Sequence, residues 1–212
     1  RQFTPAIWPR VGVVLAYGLL TPAFAYAGAL YGHQLSAACL FLAFYLLFQN
    51  QGSLQTGALI GAGVLMGYSV ITEYPTLLIV VILFTYAFSR LKDKRRIGWV
   101  MLPGALIAAG WMTYNTAVFG GPLELGYAHS ELWTEQHQTG FMSMTSPRWK
   151  SIWGITFSPF RGLFVLSPVM LLAIPGFILW YRSKEYRPEW IVALTSVGAM
   201  FLFNASSIMW WG

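Results

Sequence analysis

Charge is what this chain has least of. Only 9% of its 212 residues are Asp, Glu, Lys or Arg, against about 25% in ordinary soluble domains, so it cannot clothe a water-facing globule in polar side chains. Asp occurs once, as Asp93, and cysteine once, as Cys39. A lone thiol excludes an internal disulfide and leaves the redox compartment open, and within its apolar run Cys39 reads as a small core residue. The acids and histidines are also too few and too scattered for a metal centre: Glu131, Glu135 and His137 do not have the spacing of an HExxH-type ligand set. Neither a metal nor a cofactor is expected.

What remains is apolar and aromatic. Hydrophobic residues make up 57% of the chain, with 10 Trp and 11 Tyr, rings that gather where lipid meets water. The fold class expected is all-α, a polytopic transmembrane bundle of about seven spans, each needing about 20 apolar residues to cross about 30 Å of hydrocarbon. The spans are placed at 11–30, 35–48, 56–72, 77–88, 99–118, 163–181 and 190–209. Pro22 lies inside the first, where Thr21 can partner a freed backbone group, so a kinked helix is expected there rather than a break. The second is short and borrows from the polar turn Tyr31–Gln34. In the third, Gly57, Gly61, Gly63 and Gly67 form overlapping small-xxx-small patterns that let a neighbouring backbone approach closely.

The formal charge of +6 would suggest nucleic acid in a soluble protein, but the cations cluster between apolar runs, as they do in cytoplasmic loops. No nucleic-acid partner is expected. Arg90, Lys92, Lys94, Arg95 and Arg96 put the 90–96 loop in the cytoplasm; alternation then puts Arg1, Arg10 and the 182–187 loop there too, 10 of the 13 cations. Arg148, Lys150 and Arg161 fall outside, with all three histidines (His33, His129, His137) and with Glu73, Glu124, Glu131 and Glu135. The whole of 1–212 reads as one transmembrane domain. Its ends, Arg1 without a Met and Gly212 directly after an apolar run, predict an internal piece of a longer protein.

The outer face therefore holds most of the acid–base chemistry, much of it in the long loop 119–161. Within that loop, Ser130–Gln138 predicts a short helix capped by Ser130, and Ser151–Arg161 an apolar aromatic stretch lying along or dipping into the membrane surface. Each residue also has a plainer reading: an interfacial His or Glu can simply be solvated or cap a helix, and Arg161 can snorkel. Its guanidinium equally suits an anionic headgroup or phosphate.

Several motifs occur in order: Tyr31-Gly32-His33; the Gly-rich span ending at Glu73-Tyr74-Pro75; Tyr114-Asn115 with Phe119-Gly120-Gly121-Pro122 and Gly126-Tyr127; and Ser158-Pro159-Phe160-Arg161-Gly162-Leu163-Phe164 with Ser167-Pro168. This ordered set resembles the central-to-C-terminal part of the membrane domain of bacterial GT-C class glycosyltransferases, similar to protein mannosyltransferases and lipid A aminoarabinose transferases. The resemblance implies a bacterial inner-membrane enzyme that transfers a sugar from a polyprenyl-phosphate carrier to an extracytoplasmic acceptor by inverting displacement, with membrane lipids as surroundings. It implies Arg161 as the group facing the carrier phosphate, and His33, Glu73 and Tyr127 as cavity lining. The family's catalytic acid lies in a first external loop. Here the only Asp is cytoplasmic Asp93, so the resemblance implies a base upstream of Arg1 or none. The rival expectation is a non-catalytic structural or accessory subunit of a larger membrane complex, packed against other membrane subunits. A transporter is disfavoured by the lack of mid-span charges.

Overall fold

A computed structural model describes residues 4–29, 31–49, 54–124, 126 and 143–210. Among these, every regular element is helical, and the single extended pairing is an antiparallel bridge between Met144 and Ser207. In chain order the helices are α1 (Ile7–Leu20), α2 (Ala23–Ala27), α3 (His33–Gln49), α4 (Thr56–Thr72), α5 (Leu77–Arg90), α6 (Gly98–Phe119), α7 (Trp149–Thr156), α8 (Leu163–Leu166), α9 (Ala173–Ser183) and α10 (Arg187–Ser206). Short 3-10 turns at Tyr74–Thr76, Lys94–Ile97 and Pro168–Leu172 join some of them.

Helix α4 is the axle, packed between α3 and α6. The small-residue pattern in its sequence is used on two faces. A methyl group on Gly63 would stand 2.3 Å from the Val100 carbonyl oxygen of α6, and one on Gly67 3.1 Å from the Gly104 Cα. On the other face, one on Gly61 would stand 3.1 Å from Leu46 of α3, while Gly57 has nothing within 4 Å. The core around this axle joins Ala43 and Leu47, Leu59 and Ala62, Leu83 and Ala87, with Val100 and Val192 contributed by the longer helices. Helix α5 meets α10 across a buried polar contact, the Tyr86 hydroxyl donating to Glu189 Oε1 at 2.5 Å.

Two sequence expectations are corrected. The first span is broken, not kinked: Thr21 is extended (φ −128°, ψ 166°) between α1 and α2. Thr21 does partner freed groups, its Oγ1 donating to the Tyr17 carbonyl at 2.6 Å and accepting from the Ala23 amide at 3.2 Å, and this double use lets the chain turn at Pro22. The sixth span is likewise interrupted. Ser167 leaves helical geometry (φ −141°, ψ 71°), so α8 and α9 are separate, because the residue before a proline is driven out of the α region. By contrast α6 runs through Pro103 unbroken; Pro103 lies in its second turn.

Two helical stretches are long and apolar enough to cross a membrane, Lys94–Phe119 and Arg187–Ser206. Seven such spans were expected; the other apolar helices, Ile7–Leu20, His33–Gln49, Thr56–Thr72, Tyr74–Arg90 and Pro168–Ser183, are shorter. The apolar windows of the two long stretches are only 6% and 22% buried, so they do not serve as core helices of a globule. Because α4 approaches α6 backbone to backbone, Gly63→Ala should lower the thermal unfolding midpoint in detergent, by the equivalent of about 1–3 kcal/mol. Gly57→Ala, with open space before it, should leave the midpoint unchanged or slightly raised.

Candidate functional site

The C-terminus of α4 and the N-terminus of α3 lie side by side, and there two of the sequence candidates meet. His33 Nδ1 is 2.9 Å from Glu73 Oε1; the imidazole side chain is 53% exposed and the carboxylate only 17%. Glu73 is held on a firm mount. Its amide donates to the Ser69 carbonyl at 2.9 Å, and its carbonyl accepts from both the amide (3.0 Å) and the hydroxyl (2.7 Å) of Thr76. His33 is framed by rings: Tyr31 stacks on it (5.7 Å, 5° between planes) and Tyr26 meets it edge-on at 5.5 Å. Gly32 makes the approach feasible, since a Cβ there would lie 2.7 Å from Thr72 Cγ2 and 2.9 Å from Glu73 Oε1.

Arg161 belongs to the same end of the bundle. An open cleft of about 920 Å³ is lined by the α1–α2 break, including Thr21, Pro22 and Tyr26, and from the other side by Phe160, Arg161 and Pro168. Tyr26 thus links the two groups, touching His33 on one side and bounding the cleft of Arg161 on the other. The guanidinium is exposed and lies over the Phe160 ring, 5.7 Å from its centre. It is presented by a tight turn in which the Gly162 amide donates to the Ser158 carbonyl at 2.7 Å and the Phe160 amide to Ser158 Oγ at 3.1 Å. Next to the cleft wall, Ser167 Oγ is buried with no hydrogen-bond partner among the described residues.

A second concavity, apolar and about 390 Å³, runs between α4, α5 and α6 beneath Tyr74, whose ring meets Trp111 edge-on at 5.6 Å. Gly67, Val70, Leu77 and Gly104 help to line it. It begins one residue from Glu73 and is lined almost wholly by apolar groups.

The described part of the 119–161 segment is fastened rather than free. Thr145 and Arg148 amides donate to the Ser206 and Ala205 carbonyls, and Arg148 Nη2 donates to the Ser207 carbonyl at 3.1 Å. Helix α7 fits against the ring of Trp210, which would lie 2.3 Å from a Cβ on Gly154. The first turn of Ser151–Arg161 thus packs on the end of α10 through Ser151 and Gly154, while Phe157, Phe160 and Arg161 are exposed. Asn115, buried near the end of α6, donates to the Glu124 carbonyl at 2.8 Å and closes the turn that follows Gly120, a left-handed helix terminus at φ 84°.

Of the sequence candidates, His33, Glu73 and Arg161 are brought to one end of the bundle, and Glu124 is exposed on the turn after α6. Tyr127, His129, Glu131, Glu135 and His137 lie outside the described residues, as does the helix expected at 130–138. No group of three or more metal-ligating side chains occurs among the described residues. Sequence reasoning missed Tyr26, whose only signal was its place in an aromatic cluster before α3, and Glu189. That residue is buried at the opposite end, near the Arg90–Arg96 cations, on a helix whose second residue is Pro188. Because a Cβ on Gly162 would lie 2.5 Å from backbone atoms of Ser158, Gly162→Ala must open the Arg161 turn. Its unfolding midpoint in detergent should fall by the equivalent of about 1–3 kcal/mol. No protein-family model, curated protein or solved structure matches the chain.

Proposed function

We propose that the chain is part of a membrane glycosyltransferase that moves a sugar from a polyprenyl-phosphate carrier to an acceptor on the extracytoplasmic side. The observation that carries this reading is the meeting, at one end of the bundle, of an acid–base pair and an exposed arginine, joined through Tyr26, which touches His33 and lines the cleft that Arg161 bounds. Glycosyl transfer from a phosphate needs a proton acceptor for the incoming hydroxyl and positive charge against the departing phosphate. His33–Glu73 and Arg161 are of those two kinds, and a cleft of about 920 Å³ is wide enough for a sugar. The apolar groove under Tyr74 and Trp111 suits the carrier's hydrocarbon tail.

The membrane reading rests on exposed apolar surface. Trp8 is 79% exposed, Val13 69% and Leu106 65%, on three faces of helices that a water-facing protein would cover. The seven apolar helical stretches, two long and five shorter, overlap the seven expected spans, the first over half of its length, and this overlap supports the proposed topology. The accessory-subunit alternative calls for the outer segment to be buried against a partner; the open cleft beside Arg161 favours the enzyme.

Two measurements test the reading. In intact cells or oriented vesicles, a thiol-reactive probe that cannot cross the membrane should label Lys150→Cys from outside and Lys92→Cys only after permeabilisation; the reverse pattern sinks the topology. With labelled polyprenyl-phosphate sugars, Arg161→Ala in the full-length protein should cut transfer by about a hundredfold or more. Arg161→Lys should restore part of it, because a lysine supplies charge without the guanidinium fork. Unchanged transfer in Arg161→Ala removes that residue from the site.

A further inference from the structure

We propose that His33 is the proton acceptor of the transfer reaction, in place of the external-loop acid that the resemblance would put upstream of Arg1, with Glu73 as its positioning residue; the inference rests on the glycosyltransferase reading above. An ionised carboxylate can only accept hydrogen bonds, so the 2.9 Å contact between His33 Nδ1 and Glu73 Oε1 requires the ring proton on Nδ1. That leaves the lone pair on Nε2 of a half-exposed imidazole. Glu73 fixes the ring's tautomer and, when Nε2 takes up a proton, faces the imidazolium with a negative charge. A carboxylate that orients a histidine in this way is the arrangement used where histidine acts as a general base.

The surroundings distinguish this pair from a solvated helix cap. A cap needs no second partner, yet here the carboxylate is largely buried on a doubly hydrogen-bonded carbonyl mount. The imidazole is stacked by Tyr31 and edged by Tyr26, and residue 32 is a glycine in contact range of Glu73 Oε1. The ring is thus held in one orientation while about half of the side chain stays exposed, and Tyr26, which it touches, also lines the cleft that Arg161 bounds.

In the step, the acceptor's hydroxyl oxygen forms a bond to the anomeric carbon of the sugar and its proton passes to His33 Nε2. The bond between that carbon and the phosphate oxygen breaks, and its electron pair leaves with the polyprenyl phosphate, whose charge Arg161 faces. Every atom and electron pair is accounted for by carrier, acceptor and these side chains.

The test uses the full-length protein with two readouts. In transfer assays, His33→Gln should lower kcat by about 10²–10⁴-fold with little change in KM for the carrier, and added imidazole should restore part of the activity of His33→Ala. Glu73→Gln should also lower kcat rather than raise KM. In 15N-histidine spectra, with the His33 signal assigned by its loss in His33→Gln, the neutral ring should carry its proton on Nδ1 in the wild type and lose that preference in Glu73→Ala. Wild-type transfer that survives His33→Gln within about twofold, or a neutral His33 protonated on Nε2, overturns the proposal while leaving the glycosyltransferase reading in place. No transfer by the wild type from any polyprenyl-phosphate sugar overturns the reading itself and the base role with it.

Discussion

The contact on which the rest depends is the approach of α4 to the backbone of α6. With the Val100 carbonyl 2.3 Å from where a Gly63 side chain would begin, only a residue without Cβ permits it. Gly67, one turn on, continues the contact at Gly104. In a bilayer there is no hydrophobic gain from hiding one apolar helix on another, so close packing of small residues supplies much of the association. Once α4 is seated on α6 and flanked by α3, its last residues have a fixed height and azimuth. Glu73 then emerges opposite the first turn of α3, where His33 stands.

Helices α4 and α6 run parallel and α3 antiparallel to them, an arrangement that sorts chemistry to the two ends. At one end are the His33–Glu73 pair, the Tyr26–Tyr31 rings and the arginine cleft. At the other, Arg90 and Lys94 lie over the rings of Tyr86 and Phe88, Arg96 donates to Thr56 at the start of α4, and Tyr86 meets Glu189. The second end reads as architecture. Its cations cover aromatic faces and its buried acid ties α5 to α10, with neither group placed on a cleft of the size found near Arg161. The interruptions at Thr21–Pro22 and Ser167–Pro168 have a corresponding use, for together they form much of the wall of that cleft. Unwound backbone of this kind is tolerated at membrane depth where it lines a cavity or is buried in protein.

Much of this was legible in the residues alone. Helices α3, α4, α5, α6 and α10 fall within a few residues of the apolar runs, because hydrophobic length and the Glu73-Tyr74-Pro75 interruption are local signals. The close-packing role of Gly61, Gly63 and Gly67 followed from their spacing, though not that of Gly57, which faces open space, and the charge distribution separated the two ends before any contact was known. His33, Glu73 and Arg161 were singled out as ionisable groups at the mouths of apolar runs, where charge is costly and needs a reason.

Sequence by itself therefore determined the helical class, most of the helix positions and which end of each helix carries the polar groups, since all of these follow from composition and short-range pattern. Only the tertiary structure decided the rest. It joined His33 to Glu73, 40 positions apart, through a helix approach that depends on atoms no local pattern describes. It set Tyr26 between that pair and Arg161, and it paired Tyr86 with Glu189 across 103 positions. It also turned two expected kinks and continuations into breaks, because whether a proline bends or ends a helix depends on which groups nearby can take over its lost hydrogen bond.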